Sequence, residues 1–145
     1  MSFEYHRIFA ALDGTDAQLT VAERALTLAR ENGAHLRFGH VVDAVPAEAS
    51  VTDYERLCEE SKLRMEEKLA SVLAEAHEAR EIPEAELVVM AGPVVDVLDR
   101  DLISPFEPDL VICGARGLSK IAYAFIGSVS THLVRTQKCD VLVVK

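Results

Sequence analysis

The chain has 145 residues, of which 50% are apolar and 27% are charged. This length and composition fit one globular domain over residues 1–145 and exclude a disordered chain. The 24 acidic residues outnumber the 15 basic residues and give a formal net charge of −9, which argues against a nucleic-acid binder. No apolar stretch reaches the roughly 18 residues that span a membrane, and the first residues lack a signal-peptide pattern. We therefore expect a cytoplasmic protein with no nucleic-acid or membrane partner.

The first half of the chain alternates strands and helices. Residues 8–12 form a continuous apolar run, which predicts a strand buried on both faces. A helix follows, with Thr15 or Asp16 as its cap and Gly33 at its end, because its apolar residues recur at helical spacing. Residues 36–42 predict the second strand. The sequence Thr-Asp-Tyr-Glu at 52–55 is typical of a capping box, and the apolar face after it predicts one long helix over 54–76.

The second half continues the alternation. Residues 87–90 predict a third strand and residues 94–103 a helix. Residues 110–113 predict a fourth strand, Ser128–Thr136 a helix and residues 141–144 the last strand. Such alternation predicts a parallel sheet with helices on both faces, and ligands of such folds bind at the carboxyl ends of the strands. The residues predicted at those ends are Asp13, Val42, Met90 and Gly114.

The segment over residues 114–127 has the parts of a phosphate cradle. Its glycines let backbone N–H groups approach an anion closely. Ser128 and Ser130 follow in the first turn of a helix, where unpaired N–H donors and the positive end of the helix dipole attract anions. Arg116 and Lys120 are the only charged residues of the segment. An ordinary turn with a serine N-cap is the alternative, but the two cations favour an anion site.

Other ligand and catalytic motifs are missing from the sequence. There is no GxxxxGK[ST] loop, no GxGxxG after the first strand and no GxSxG elbow. The three cysteines contain no CxxC pair, and the five histidines contain no HxxxH pair. These observations exclude a P-loop NTPase and a standard NAD-binding domain, and they predict neither a metal site nor a disulfide framework.

The glycines of the cradle have a specific spacing. Gly114-x-x-Gly117, nine further residues and then Gly127-Ser128 match the pattern G-2x-G-9x-G-(S/T). In this the chain resembles the universal stress proteins, and in particular their ATP-binding branch. The first-strand ending LDGT at 12–15 and the terminal VLVV at 141–144 are also typical of that family. The resemblance covers essentially the whole chain.

The resemblance implies a fold and a binding site. The fold would be a Rossmann-like α/β domain of the adenine nucleotide alpha hydrolase type, with three α/β/α layers and a five-stranded parallel sheet in the order 3-2-1-4-5. Adenine would lie between the ends of the first and second strands, and the phosphates would lie on the glycine-rich segment. The nucleotide-binding residues implied are Ala11, Leu12, Asp13, Thr15, Val41, Met90, Gly92, Gly114, Arg116, Gly117, Gly127, Ser128, Val129 and Ser130.

The resemblance also implies a ligand and a partner. The ligand would be ATP, with AMP or a cyclic nucleotide as alternatives, and Mg²⁺ could be held by its phosphates. The chain would form a homodimer through its last strand, which comprises Val141, Leu142, Val143 and Val144. We expect a regulatory nucleotide-binding protein of the stress response and not an enzyme. The alternatives are a slow ATPase or autophosphorylating enzyme and a ligand-free dimeric scaffold.

Overall fold

The computed structural model describes residues 3–43, 48–115 and 127–145. Within these ranges, five parallel strands form one sheet in the order β3-β2-β1-β4-β5. The strands are β1 (Arg7–Ala11), β2 (His35–Val42), β3 (Ala85–Ala91), β4 (Leu110–Gly114) and β5 (Asp140–Val144). The expected parallel sheet and its strand order are therefore confirmed.

Helices cover both faces of this sheet. They are α1 (Gln18–Asn32), α2 (Val51–Lys68), α3 (Ala70–Glu78), α4 (Val94–Val97) and α5 (Ser128–Thr136), and α4 continues into a π-helical turn (Leu98–Ile103) and a 3₁₀ turn (Ser104–Phe106). The apolar residues of α1, α2 and α3 pack into one core cluster with alternate residues of the strands. Those of α4, the π-helical turn and α5 pack into a second cluster. The three-layer arrangement follows from these two clusters.

The boundaries of α2 differ from the prediction. The capping box begins at Ser50, where the Ser50 hydroxyl accepts from the N–H of Asp53 at 3.1 Å and the Asp53 carboxylate accepts from the N–H of Ser50 at 3.2 Å. The box predicted at 52–55 is therefore wrong by two residues. The single helix predicted over 54–76 is divided at buried Leu69, whose backbone (φ −106°, ψ 14°) leaves the helical region. Helical hydrogen bonds continue on both sides of Leu69, so the helix bends there.

The start of α1 also differs from the prediction. Its N-cap is Ala17, which makes no side-chain capping bond, so the predicted caps Thr15 and Asp16 are wrong. The Gln18 amide oxygen instead accepts from the N–H of Gly14 at 3.0 Å and holds the turn against the helix. The end of α1 agrees with the prediction, because Gly33 adopts the left-handed conformation at φ 64°.

The helix predicted over 94–103 is α-helical only as far as Val97. The following π-helical turn places Leu98, Leu102 and Ile103 together in the core. A π-helix has i→i+5 hydrogen bonds and a wider turn, so residues four and five apart share a face. The proline before residue 94 predicted the start of the helix, but it carries no information about the π-helical turn at its end.

The strand order creates an opening at the carboxyl ends of β1 and β4. The chain leaves β1 towards α1 on one face of the sheet, and α5 after β4 lies on the opposite face. Two neighbouring strands whose connections depart to opposite faces leave a crevice between them, which is where doubly wound α/β proteins bind their ligands. The fold therefore fixes the position of the candidate site.

Candidate functional site

A cavity of about 1200 Å³ opens at the carboxyl ends of the central strands. It extends onto both faces of the sheet, because Val21 and Met65 from one core cluster line it together with Leu98 and Cys113 from the other. We call its two ends the α5 lobe and the α2 lobe. The α5 lobe comprises Pro93, Val94, Val95, Asp96, Leu98, Cys113, Gly127, Ser128, Val129 and Ser130, and the α2 lobe comprises Gln18, Val21, Ser61, Arg64, Met65 and Lys68.

Most of the residues predicted for nucleotide binding line this one cavity. They are Ala11, Leu12, Asp13, Thr15, Val41, Gly114, Gly127, Ser128, Val129 and Ser130. Arg116 and Gly117 lie outside the described residues, as does Lys120. The structure thus brings together residues from four separate stretches of the chain, and their contact with a nucleotide stays a prediction.

Met90 and Gly92 are not among the residues that line the cavity. Both belong to the end of β3, which lies at the sheet edge, two strands away from the opening at β1. Met90 packs, half-buried, against the core on the α5 face, and the N–H of Gly92 donates to the carbonyl of Val42 at 3.0 Å. The chain reaches the cavity one residue further on, because Pro93 lines the α5 lobe.

The N-terminus of α5 points its first turn into the α5 lobe. Gly127 is the N-cap, and no side chain accepts a capping hydrogen bond there. The backbone N–H groups of the first turn have no carbonyl partner within the helix, so they are available to an anion. Ser128 is exposed at the lobe. These features provide the anion-attracting end of the site.

Ser130 has a structural role that the sequence did not indicate. Its side chain is only 5% exposed, and its hydroxyl donates to the carbonyl of Gly114. This bond ties the first turn of α5 to the end of β4. Because its proton is used in this way, Ser130 can offer an incoming anion its backbone N–H but not its hydroxyl.

Asp13 organises the turn between β1 and α1. One oxygen of its carboxylate accepts from the backbone N–H of Thr15 at 2.9 Å and from the Thr15 hydroxyl at 2.7 Å. Asp13 therefore caps the turn that follows β1. Its second carboxylate oxygen has no hydrogen bond to a residue in the described ranges, and Asp13 is exposed at the cavity.

His40 is a lining residue that the sequence analysis did not select. Its Nδ1 lies 2.8 Å from the carbonyl oxygen of Leu12. A carbonyl can only accept, so Nδ1 carries the proton and Nε2 of the neutral ring is left as an acceptor. The ring packs beneath Gly14, where φ is +82° and an added Cβ would lie 3.1 Å from His40 Cε1. The one sequence signal was the position of His40 beside Val41 at a strand end.

Arg64 and Lys68 were also missed. Both belong to α2, for which the sequence indicated only the apolar face, and both line the α2 lobe. Periodicity shows that two residues share a helix face, but only the packing of α2 against the β1–α1 turn shows what that face meets. The carboxylates at the cavity are those of Asp13, Asp16, Asp43 and Asp96.

Burial at the cavity changes the acidity of one thiol. Cys113, on β4, lines the α5 lobe and is buried. Desolvation raises the pKa of the Cys113 thiol, and a hydrogen bond with Ser130 opposes that rise in part. Cys113 is thus held as a neutral thiol at neutral pH, which does not suit a nucleophile.

The described residues contain no group of three His, Cys, Asp or Glu side chains placed to hold a metal ion. None of the helices in the described ranges is long and apolar enough to cross a membrane. The site combines an open helix N-terminus, an apolar middle section at Leu12 and Val41, and a volume that suits a small organic ligand. Fold and site together define a doubly wound α/β protein with an anion-receptive cleft at its topological switch point.

A family model described as the universal stress protein family matches residues 4–145. The chain belongs to this family. A Staphylococcus haemolyticus protein named as a universal stress protein is 28% identical over 141 residues, which are 97% of this chain and 85% of that protein. A universal stress protein solved in complex with cAMP is 25% identical, with a TM-score of 0.67, over 98% of each chain. An Arabidopsis thaliana family member solved with AMP bound is 20% identical, with a TM-score of 0.61, over 97% of this chain and 91% of that one.

Proposed function

We propose that this protein is a regulatory module that binds an adenine nucleotide, with ATP as the preferred ligand. The observation that carries the proposal is the open N-terminus of α5 at the topological switch point, inside a cavity of about 1200 Å³. The cAMP and AMP complexes of the two family members support an adenine ligand. We place the protein in the cytoplasm, as its composition led us to expect.

The cavity suggests how the nucleotide would lie. The phosphates would accept hydrogen bonds from the backbone N–H groups of Ser128, Val129 and Ser130, where the helix dipole favours negative charge. The base would lie over the apolar strand ends at Leu12 and Val41. Mg²⁺, where it takes part, would be held mainly by the phosphates.

Gly127 provides the sharpest test of this arrangement. Among the described residues, a Cβ at Gly127 would have only the Ala115 carbonyl oxygen near it, at 3.9 Å. Aspartate is a favoured N-cap, so Gly127→Asp should fold normally. Its carboxylate would occupy the first-turn N–H groups and repel phosphate. Because like charges at an interface cost several kcal/mol, we expect the Kd for ATP to rise by about a hundredfold or more.

Gly127→Asn is the matched control, since asparagine caps the helix equally well without the charge. We expect its Kd for ATP to stay within about tenfold of the wild-type value. Isothermal titration of ATP, AMP and cAMP into the three proteins measures these values. Wild-type protein that binds none of the three at millimolar concentration would overturn the proposal, and an unchanged Kd for Gly127→Asp would show that α5 is the wrong phosphate site.

We infer that the module binds its nucleotide without hydrolysing it. One observation nevertheless supports the alternative of a slow ATPase. The carboxylate of Asp96, in the first turn of α4, lies in the same lobe as Ser128 and could help to hold a metal beside the phosphates. If ATP hydrolysis occurs here, Asp96→Asn should abolish it while ATP still binds. Phosphate release that is the same in wild type and Asp96→Asn would exclude this route.

A further inference from the structure

Arg64 and Lys68 lie one turn apart on α2, and both line the α2 lobe. Neither forms an ion pair with any carboxylate of the described residues. The segments outside the described ranges contain no Asp or Glu, so no acidic partner comes from there. Among the described Lys and Arg side chains, only Arg30, Arg37 and Arg100 form ion pairs, so what distinguishes Arg64 and Lys68 is their position at the cavity.

Acidic residues lie close to Arg64 in the sequence. Glu60 precedes Arg64 by four residues and Glu67 follows it by three, and both spacings favour ion pairs along a helix. Arg64 pairs with neither of them. Two like charges four residues apart also destabilise a helix, so an anion between Arg64 and Lys68 would remove an unfavourable contact.

The surroundings of the two cations also favour an anion. Of the α2 residues that line the cavity, Arg64 and Lys68 are charged and none is acidic. Buried Ser61, 6% exposed, and buried Gln18 lie in the same lobe as Arg64 and Lys68 and give it a polar wall. The four carboxylates of the cavity come from other elements, namely the ends of β1 and β2, the β1–α1 turn and the start of α4.

The cavity therefore has two ends that attract anions, one on each face of the sheet. The first is the N-terminus of α5, and the second is the Arg64–Lys68 pair on α2. Apolar strand ends at Leu12 and Val41 join them. The volume of about 1200 Å³ exceeds the roughly 300–1000 Å³ that is usual for a small-molecule pocket, so one nucleotide leaves part of it free.

We propose that Arg64 and Lys68 form a second anion-binding subsite, and that the cavity accepts a linear dinucleotide with phosphates at two separated positions. One phosphate lies at the N-terminus of α5 and the other between the two α2 cations. The assignment of the first end rests on the proposed function above, whereas the subsite on α2 rests on its own contacts. The same chemistry would also hold a free phosphate or pyrophosphate ion beside a mononucleotide.

The test compares AMP with 5′-phosphorylated diadenylate by isothermal titration at fixed ionic strength. We expect wild-type protein to bind the dinucleotide about three- to tenfold more tightly than AMP, the gain that two exposed ion pairs supply. The double variant Arg64→Gln/Lys68→Gln should lose this gain while its Kd for AMP changes less than twofold. The control Arg56→Gln/Lys62→Gln removes the same charge from the same helix outside the large cavity and should retain the gain.

Equal wild-type affinities for AMP and the dinucleotide, or a gain that survives in Arg64→Gln/Lys68→Gln, would overturn the dinucleotide proposal. Titration of inorganic pyrophosphate, followed by ³¹P NMR, separates the subsite from the nucleotide. Pyrophosphate binding that is lost in Arg64→Gln/Lys68→Gln and kept in Gly127→Asp supports the subsite even if AMP does not bind. If pyrophosphate binds Arg64→Gln/Lys68→Gln as tightly as wild type, there is no anion subsite on α2. If AMP and pyrophosphate bind at the same time but the dinucleotide binds no more tightly than AMP, the subsite holds a free anion and not a dinucleotide.

Discussion

His40 connects the two strand ends that form the floor of the cavity. It belongs to β2, and its Nδ1–H donates to the Leu12 carbonyl just beyond β1. This bond fixes the ring orientation and the tautomer, so Nε2 remains the free acceptor of the neutral ring. The His40 side chain therefore joins the ends of β1 and β2 and also places a hydrogen-bond acceptor, Nε2, at the cavity, where a bound base would lie.

Removal of this bond should destabilise the fold. In His40→Phe the ring is retained but the donor is lost, and an unpaired Leu12 carbonyl should lower the free energy of unfolding by about 1–3 kcal/mol. His40→Asn is the control, because its amide nitrogen can take the place of Nδ1 and should recover part of the loss. Urea denaturation measures both variants. Equal losses for His40→Phe and His40→Asn would show that ring packing, not the hydrogen bond, stabilises the floor.

Cys113 offers a chemical probe of the α5 lobe. Desolvation raises the pKa of its thiol, so the reactive thiolate forms only at a higher pH than in an ordinary cysteine, whose pKa is about 8.5. In a Cys58→Ala/Cys139→Ala background, we expect the rate of alkylation by iodoacetamide to rise with a midpoint above that pH. Saturating ATP should slow the reaction further if the nucleotide covers the lobe. A midpoint at or below the ordinary value would contradict the buried position of Cys113.

The sequence could predict those site residues whose role depends on the conformation of the backbone at their own position. Gly127 and Ser128 were recognisable because a helix N-terminus after a buried strand is a local pattern. Ser130 was predicted at the site, but the bond from its hydroxyl to the Gly114 carbonyl was not, since the two residues are 16 apart in sequence. His40 was passed over for the same reason, because its Leu12 partner is 28 residues away.

At the scale of the elements, close packing explains the glycine in the middle of β2. A Cβ at Gly39 would lie 2.9 Å from Phe9 Cε2 on β1 and 3.4 Å from Leu102 Cδ1 in the π-helical turn. Phe9 and Leu102 are fully buried and have no space to move into. Gly39 therefore lets the sheet and the π-helical turn approach each other directly beneath the cavity.

We expect Gly39→Ala to overpack this contact and to lower the free energy of unfolding by about 1–3 kcal/mol. The double variant Gly39→Ala/Phe9→Leu, which removes the ring that the new methyl group meets, should recover part of the loss. Urea denaturation midpoints at constant m-value measure the effect. If Gly39→Ala leaves the free energy of unfolding unchanged, β2 and the π-helical turn can move apart at no cost in stability, which would contradict the close contact between them.

Apolar runs predicted the strands, and apolar periodicity predicted α1 and the helical stretch of α2 and α3, but neither pattern predicted where α2 begins. Ser50 with Asp53 and Thr52 with Glu55 both have the spacing of a capping box. The choice between them depends on where the chain leaves β2, and so on tertiary structure. The bend at Leu69 was equally hidden, because Leu69 and Leu73 continue the apolar face across it.

At the scale of the whole molecule, the alternation of elements predicted a parallel sheet, whereas the strand order came from the family resemblance. No local signal states that β1 lies between β2 and β4. Once that order is given, the position of the cavity follows from the reversal of the connections at β1. The strand order did not predict which α2 residues line the cavity, because the rotation of α2 about its axis depends on how the core packs around Met65 and Val21.

The strand order also leaves β5 at one edge of the sheet. Its side chains are apolar on both faces, since Leu142 packs with one core cluster and Val141 and Val143 pack with the other. All three are only partly buried, and one side of the β5 backbone has no strand beside it in the described part of the chain. An apolar edge of this kind favours pairing with a second copy of the same strand.

We therefore expect a homodimer that Val141→Lys disrupts. A lysine in the paired edge would place two like charges near each other across the dimer axis, and like charges directly opposite each other destabilise strand pairing. Val51→Lys is the control, because Val51 is 74% exposed at the start of α2, away from this edge. Sedimentation velocity should show a dimer for wild type and Val51→Lys and a monomer for Val141→Lys. A wild-type protein that is monomeric at all concentrations, or a Val141→Lys variant that is still a dimer, would exclude β5 as the interface. Nucleotide binding by the Val141→Lys monomer at the wild-type Kd would show that each chain holds a complete site.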